Sequence, residues 1–308
     1  MKNRIIKISN IIVILVILAI LKISVISAQG IHEFSVDAGL GSSSLRYKLS
    51  HGDRSGRVGG DFGVGYTYFF DKVRITSTGK VFRELWGIHT GMGIGLYNAK
   101  AKLDDANTEN KGLNDGDTSV EDPKYNVFDL RTKLDNYSEI QKTVYLNIPV
   151  MAQFQIEQIY AMAGFKFGIP ISGKFSSDNA TITNAGWYPE LGNLATTQEF
   201  AGYGTFNGRY FEGNFESRFA VIFALEAGYK WRIADNLSIY TGMYFDCGLN
   251  NTCKEADKAF VNYNNKRPKE FSTNSVLSSY SDNKKLTTFT DKTKLMAVGI
   301  KLRFAMEK

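Results

Sequence analysis

The chain has 308 residues, with 37 basic and 31 acidic side chains, 29 Gly, 16 Tyr, 21 Phe, only 5 Pro and 2 Cys. Residues 1–28 hold Lys2, Arg4, Lys7 and Lys22 and no acid, so they supply four of the six net positive charges and leave +2 for the rest. The remaining bases are scattered among acids, which gives no support to a nucleic-acid partner.

At the amino terminus the bases precede an unbroken apolar run over 11–21, interrupted by Lys22. A membrane-spanning helix needs roughly 20 apolar residues. The pattern is therefore that of a secretory signal peptide, with cleavage after Ala28 and a mature chain, 29–308, beginning at Gln29.

Eight segments of alternating polarity follow. In 31–40, Phe34, Val36, Ala38 and Leu40 share one parity; in 61–70, Phe62, Val64, Tyr66, Tyr68 and Phe70 do. Segment 85–97 sets Trp86, Ile88, Met92, Ile94 and Leu96 against His89 and glycines, and 143–155 and 159–171 repeat the pattern. In 218–232 the aromatic and aliphatic set from Phe219 to Trp231 opposes Glu226, Gly228 and Lys230, and 236–248 and 294–304 complete the series. Successive strand residues face opposite sides. A greasy face opposed by small or charged residues thus predicts strands between lipid and a polar interior, each long enough to cross at a tilt. Connections 41–60, 98–142, 172–217 and 249–293 are long and polar, whereas 71–84, 156–158 and 233–235 are short. Within 71–84, Val73, Ile75, Val81 and Phe82 are able to prolong the adjoining strands. This alternation predicts an all-β, eight-stranded antiparallel transmembrane β-barrel with long extracellular loops and periplasmic termini. Phe69, Phe70, Trp86, Tyr160, Tyr229, Trp231 and Phe304 are expected to form one aromatic girdle, and Tyr97, Phe175, Phe219 and Phe245 the other.

The residues Tyr145, Leu146, Asn147, Ile148 and Pro149, with 163–168, 244–250 and 298–304, resemble motifs of the outer-membrane β-barrel domains of Bacteroidota, labelled porin-like or PorT-like. The resemblance spans most of the mature chain and implies an eight-stranded barrel, mostly without assigned biochemistry; one relative assists type IX secretion. Barrel proteins often end on the aromatic residue, whereas Ala305 to Lys308 follow Phe304 here.

Inward parity assigns Glu33, Asp37, His89, Lys166, Glu226, Lys230, Asp246, Lys301 and Arg303 to a barrel-interior polar network, with glycines making room for the long side chains. Eight strands enclose only enough space for side chains, so these groups are expected to plug the interior. At the seam between first and last strands, Glu33 is expected to contact Lys301 or Arg303. Of the three histidines, His32 begins a strand, His51 lies in a loop and His89 faces inward; no nucleophile motif accompanies them, and no catalytic residue, cofactor or metal ligand is assigned. The acidic stretch Asp104, Asp105, Glu109, Asp115, Asp117, Glu121 and Asp122 places Asn110 where a calcium-binding EF-hand turn needs glycine, and is read as a solvated loop. Cys247 and Cys253 are expected to form a disulfide in an oxidising envelope if the loop turns back, since extended backbone would hold them apart.

The expected function is that of a non-enzymatic outer-membrane protein presenting its loops for envelope structure or to a partner protein. The alternatives are a minor porin or solute-uptake channel and, third, an outer-membrane enzyme. Outer-membrane lipid and the outer-membrane assembly machinery are the partners the fold itself requires.

Overall fold

The computed structural model describes residues 30–75, 81–117, 119, 121–178, 180–285 and 287–308, with backbone alone at 71–75 and 81–83; the expected signal peptide, 1–28, lies outside them. Its frame is a ring of eight strands: β1 (Gly30–Arg46), β2 (Val58–Ile75), β3 (Val81–Leu103), β4 (Tyr137–Ile156), β5 (Ile159–Asp178), β6 (Ala220–Ala234), β7 (Leu237–Gly248) and β8 (Lys294–Glu307). Each pairs antiparallel with the next, and β8 pairs with β1 from Glu33↔Glu307 to Arg46↔Lys294. Closure satisfies every strand edge within the ring, which hydrocarbon demands because it offers no hydrogen bonds.

All eight expected strands are present, and several run well beyond the bilayer. About 9–11 residues suffice to cross, yet β3 has 23 and β4 and β5 have 20 each. Strands β2 and β3 extend into 71–84 until Ile75 pairs with Val81, so that segment is mostly ladder. The outer face exposes Phe34, Val36, Phe62, Val64, Ile88, Met92, Phe165, Leu225, Met243 and Ile300. In water this face would be penalised at about 25 cal/mol per Å²; against lipid tails it is at home.

The girdle assignment needs correction. Phe70, Trp86, Trp231, Phe304 and Phe219 are exposed on the outer face, but Phe69, Tyr160, Tyr97 and Phe175 are buried inside. The inner parity carries aromatics as well as charges, because the narrow barrel must be filled.

The long connections are not plain loops. Beyond the barrel the strands continue into a cap sheet built on Ala106–Asn114, Val127–Asp135 and Ala180–Tyr188, with Asn193–Ala195 and Gly204–Arg209 paired to the last and Ser279–Asp282 bridged to the first. Parity breaks on all three strands at one level: buried Leu103 is followed by buried Ala106, Leu134 by Tyr137, and Ser177 by Ala180. Asp105 and Asn136, with φ of 52° and 53°, supply the left-handed turns of two of these breaks; such φ values favour Asn and Asp among residues with side chains. Below the break the outer face is apolar over the barrel wall and carries Lys102, Lys142 and Lys174 between that band and the break. Above it Phe128, Leu130, Leu134 and Ile182 point into a buried core with Tyr203, Phe260, Phe271 and Phe289 from the later loops, and the outer face turns polar. A second cluster fills the barrel mouth, where Phe215, Cys253 and Leu277 pack on Leu45, Tyr97, Tyr145 and Leu295.

Candidate functional site

The barrel interior gathers all nine side chains expected there. Glu33, His89, Lys166, Glu226, Lys230, Asp246, Lys301 and Arg303 are buried, and the Asp37 side chain is only 12% exposed. Eight of them form three linked groups, and His89 pairs with Thr67. Nearest the chain termini, Lys230 Nζ lies 3.3 Å from Glu33 Oε2 and also donates to Glu307, while the Tyr240 hydroxyl donates to Glu33 Oε2 at 2.6 Å. In the middle, Lys301 Nζ is 3.0 Å from Asp37, 2.9 Å from Asp61 and 3.7 Å from Glu226. Arg303 sits above the Tyr240 ring, its guanidinium carbon 4.2 Å from the centroid, and 3.9 Å from Glu226, whose Oε1 accepts from Tyr160 at 2.9 Å. Nearer the cap, Lys166 pairs with Asp246 at 2.8 Å. Each cation thus meets carboxylates, aromatic faces or both, which is what makes burial of charge tolerable.

The seam contact differs from expectation. Glu33 bonds Lys230 and Tyr240 rather than Lys301 or Arg303, because the register sets Glu33 opposite Glu307 and Asp37 opposite Arg303. Strand β8 runs past Phe304, and Glu307 joins the network from its last ladder position. Sequence reasoning also missed Asp61, Tyr160 and Tyr240. Asp61 shares parity with inward Gly63 and could have been found that way. The tyrosines were not separable from girdle aromatics by pattern alone.

Glycine creates the space. A Cβ at Gly39 would overlap the Asp61 carboxylate, and one at Gly65 would overlap the His89 ring. His89 Nδ1 is 2.9 Å from Thr67 Oγ1, and Thr67 is fully buried. Beside Lys301 and His89 remains a cavity of about 40 Å³, also lined by Asp37, Asp61, Asn147 and Lys166; this is space for about one water.

At the cap end a single carboxylate fastens the fourth long connection into the mouth. Outward-facing Lys142 places this end of β4 above the hydrocarbon. Here buried Glu139 accepts from Ser275 Oγ, Val276 N (3.1 Å), the Tyr137 hydroxyl (2.9 Å) and Gln141 Nε2 (2.9 Å). Burial raises its pKa, and those hydrogen bonds oppose the shift. Ser275 to Ser279 are all buried. No pattern flagged Glu139, since two of its four partners, Ser275 and Val276, come from a distant loop.

The cysteines are free. Cys247 lies on the outer face of β7 between Phe223 and Met296, whereas Cys253 is inside the mouth cluster, so the barrel wall separates them. Burial pushes the Cys253 thiol up to about 12. The acidic stretch does not assemble either: among the described residues no group of three His, Cys, Asp or Glu could hold a metal ion.

The family comparison agrees with a barrel architecture. The family model described as outer membrane protein beta-barrel domain matches residues 32–254. No curated protein matches the sequence. Among solved structures, the chain is similar to the attachment invasion locus protein Ail of Yersinia pestis, crystallised with the heparin analogue sucrose octasulfate, at 9% identity and a TM-score of 0.30, covering 89% of this chain and 99% of that one. It is also similar to a major outer membrane protein of Thermus thermophilus, at 14% identity and a TM-score of 0.33, covering 90% and 99%. The eight-stranded assignment rests on strand pairing, and the family match spans most of the sequence. The chain belongs to the outer membrane protein beta-barrel domain family.

Proposed function

We propose that this is a non-enzymatic outer-membrane protein whose interior is plugged and whose cap is presented to the outside for envelope structure or a partner protein. The leader 1–28 is removed on export and both termini lie in the periplasm. The observation that carries the reading is Lys301, buried and held among Asp37, Asp61 and Glu226 beside a cavity of only about 40 Å³. A conducting path would need that cluster to part and the mouth cluster around Leu277 to leave as well. Against an enzyme stands the burial of the Thr67–His89 pair, which no substrate reaches without opening the barrel. The motif over 145–149 supports a finer place among porin-like or PorT-like barrels of Bacteroidota.

Purified protein in planar bilayers tests the plug: no stable, reproducible conductance is expected. Steady ohmic channels would overturn it and favour the solute-uptake alternative. Single cysteines near 110, 195 and 270 in a background lacking Cys247 and Cys253 test orientation. They should react with an impermeant maleimide on intact cells, and labelling at 157 instead would invert the topology.

A further inference from the structure

Above the parity break, the outer face of the cap sheet is arranged in cross-strand rows. One row runs Thr205, Thr183, Lys133, Asn107, and the next Ala185, Arg131, Glu109, Asp282. A third sets Leu194 beside Trp187 and Asp129. Ala185 is short between long neighbours, and the face sinks there into an open cleft of about 620 Å³, within the size range of small-molecule sites.

Of the five charged side chains that line the cleft, Glu109, Arg131, Lys133 and Asp282 are already matched, and exposed Lys285 lies near Asp282. Arg131 Nε donates to Glu109 Oε1 at 2.9 Å, and Lys111 Nζ lies 2.9 Å from Glu109 Oε2 and 4.0 Å from Asp282. Lys133 reaches Asp105 at 2.9 Å and Asp135 at 3.3 Å. A polyanion would have to displace the acids, and a polycation the bases. A neutral polyol need do neither, since each hydroxyl both donates and accepts and so fits paired acids, bases and threonines. Half-buried Trp187, with the Arg131 guanidinium carbon 5.2 Å from its ring centroid, and exposed Leu194 add an apolar edge for the C–H face of a sugar ring.

This face continues the wall that meets lipid. Immediately above the apolar band stand outward-facing Lys102, Lys142 and Lys174, the last two paired across strands, where anionic headgroups would lie. From Lys142 to Lys133 the chain runs at most ~30 Å at about 3.3 Å per residue. The cleft therefore lies beyond the headgroup phosphates, at the depth of the sugars that outer-leaflet glycolipid carries.

We propose that the cleft at Glu109, Arg131 and Ala185, with Trp187 beside Arg131, binds the neutral saccharide chain of the glycolipid that surrounds the barrel. This rests on the reading that the cap lies on the outer surface, and it names the partner class of that surface.

The test uses the full-length protein in detergent and the neutral polysaccharide released by mild acid from smooth lipopolysaccharide, measured by equilibrium dialysis. Saturable binding is expected, weakened at least tenfold by Trp187→Ala and by Ala185→Gln, which narrows the cleft beside Arg131. Retained heat-modifiability on gels shows that both variants fold. A lipopolysaccharide truncated to its phosphorylated lipid should compete poorly. Unchanged affinity in both folded variants, equal competition by the truncated lipid, or preference for a heparin-derived hexasaccharide would each overturn the proposal. Surface labelling at 110, run on the same protein, separates the outcomes: absent labelling sinks the outward reading, whereas labelling without saccharide binding sinks this inference alone.

Discussion

Replacing Lys230 with methionine keeps the length of the side chain and removes the cation shared by Glu33 and Glu307. Glu33 is completely buried and the Lys230 side chain is 4% exposed, so water cannot substitute for the lost charge. Breaking a buried pair by removing one partner costs about 3–5 kcal/mol, chiefly because the other charge is stranded. Tyr240 still donates to Glu33, which places the expected loss toward about 3 kcal/mol. Lys230→Met/Glu33→Gln removes both charges and should recover most of it. The exposed pair Arg267–Glu270, with side chains 71% and 66% exposed, is the internal control; breaking it should change stability by about 0–1 kcal/mol. Urea unfolding of the folded, fast-migrating gel form in lipid vesicles gives the four free energies of a double-mutant cycle. Strict additivity, or a Lys230→Met loss no larger than that of the control, would refute the argument that this triad holds the β1–β8 seam.

Gly65→Ala should destabilise by roughly 1–3 kcal/mol in the same assay, because its Cβ would meet the His89 ring inside a filled barrel; no change would mean the ring moves freely. At pH 8, alkylation should spare Cys253 until the protein is denatured, as its thiol lies near 12, and non-reducing gels should show no disulfide-dependent shift. Glu139→Ala should leave the Ser275 hydroxyl and the Val276 N–H without their acceptor, at about 1–3 kcal/mol for each unsatisfied group, and speed proteolysis within 249–293. Since burial holds Glu139 above its usual 4.5, its contribution is fully present below that value and is lost as pH rises through the folded pKa. The fourth connection should therefore resist protease better on acidification toward 4.5, and Glu139→Gln should abolish that dependence.

The barrel was legible because lipid outside and packed side chains inside impose a strict period of two, as Phe223, Leu225 and Ala227 against Ala224, Glu226 and Gly228 illustrate. The cap was not. Its strands alternate just as clearly, with Phe128, Leu130, Thr132 and Leu134 against Asp129, Arg131, Lys133 and Asp135, but within stretches rich in acids and asparagines. Treating 98–142 as one loop hid a strand that reverses direction. The partner of Glu33 was not legible either, because pairing depends on a seam register fixed by how far β8 continues: Ala305, Met306 and Glu307 are ladder residues, not a tail. The disulfide failed for a related reason, since linear spacing does not say on which side of a wall each cysteine falls.

The side on which the apolar parity lies is itself a measure of where the membrane ends. On β3 it lies outward from Trp86 to Leu96 and gives way to the half-exposed Asn98 and exposed Lys102, while on β4 the change falls between Val144 and Lys142. Asn98 pairs with Lys142 and Leu96 with Val144, so neighbouring strands switch at the same height. Ten residue steps from Trp86 to Leu96 span ~33 Å at about 3.3 Å each. At a tilt of about 35–45° they project to ~23–27 Å, which matches the ~25 Å apolar band of outer-membrane barrels. Beyond that height a strand with an outward apolar face would meet water and its inner face would enclose empty space. The cap solves both problems at once, by moving its apolar residues to the inside, where the later loops supply Phe260, Phe271 and Phe289 to cover them. Truncating those loops should therefore expose the underside of the cap sheet, not merely shorten the surface.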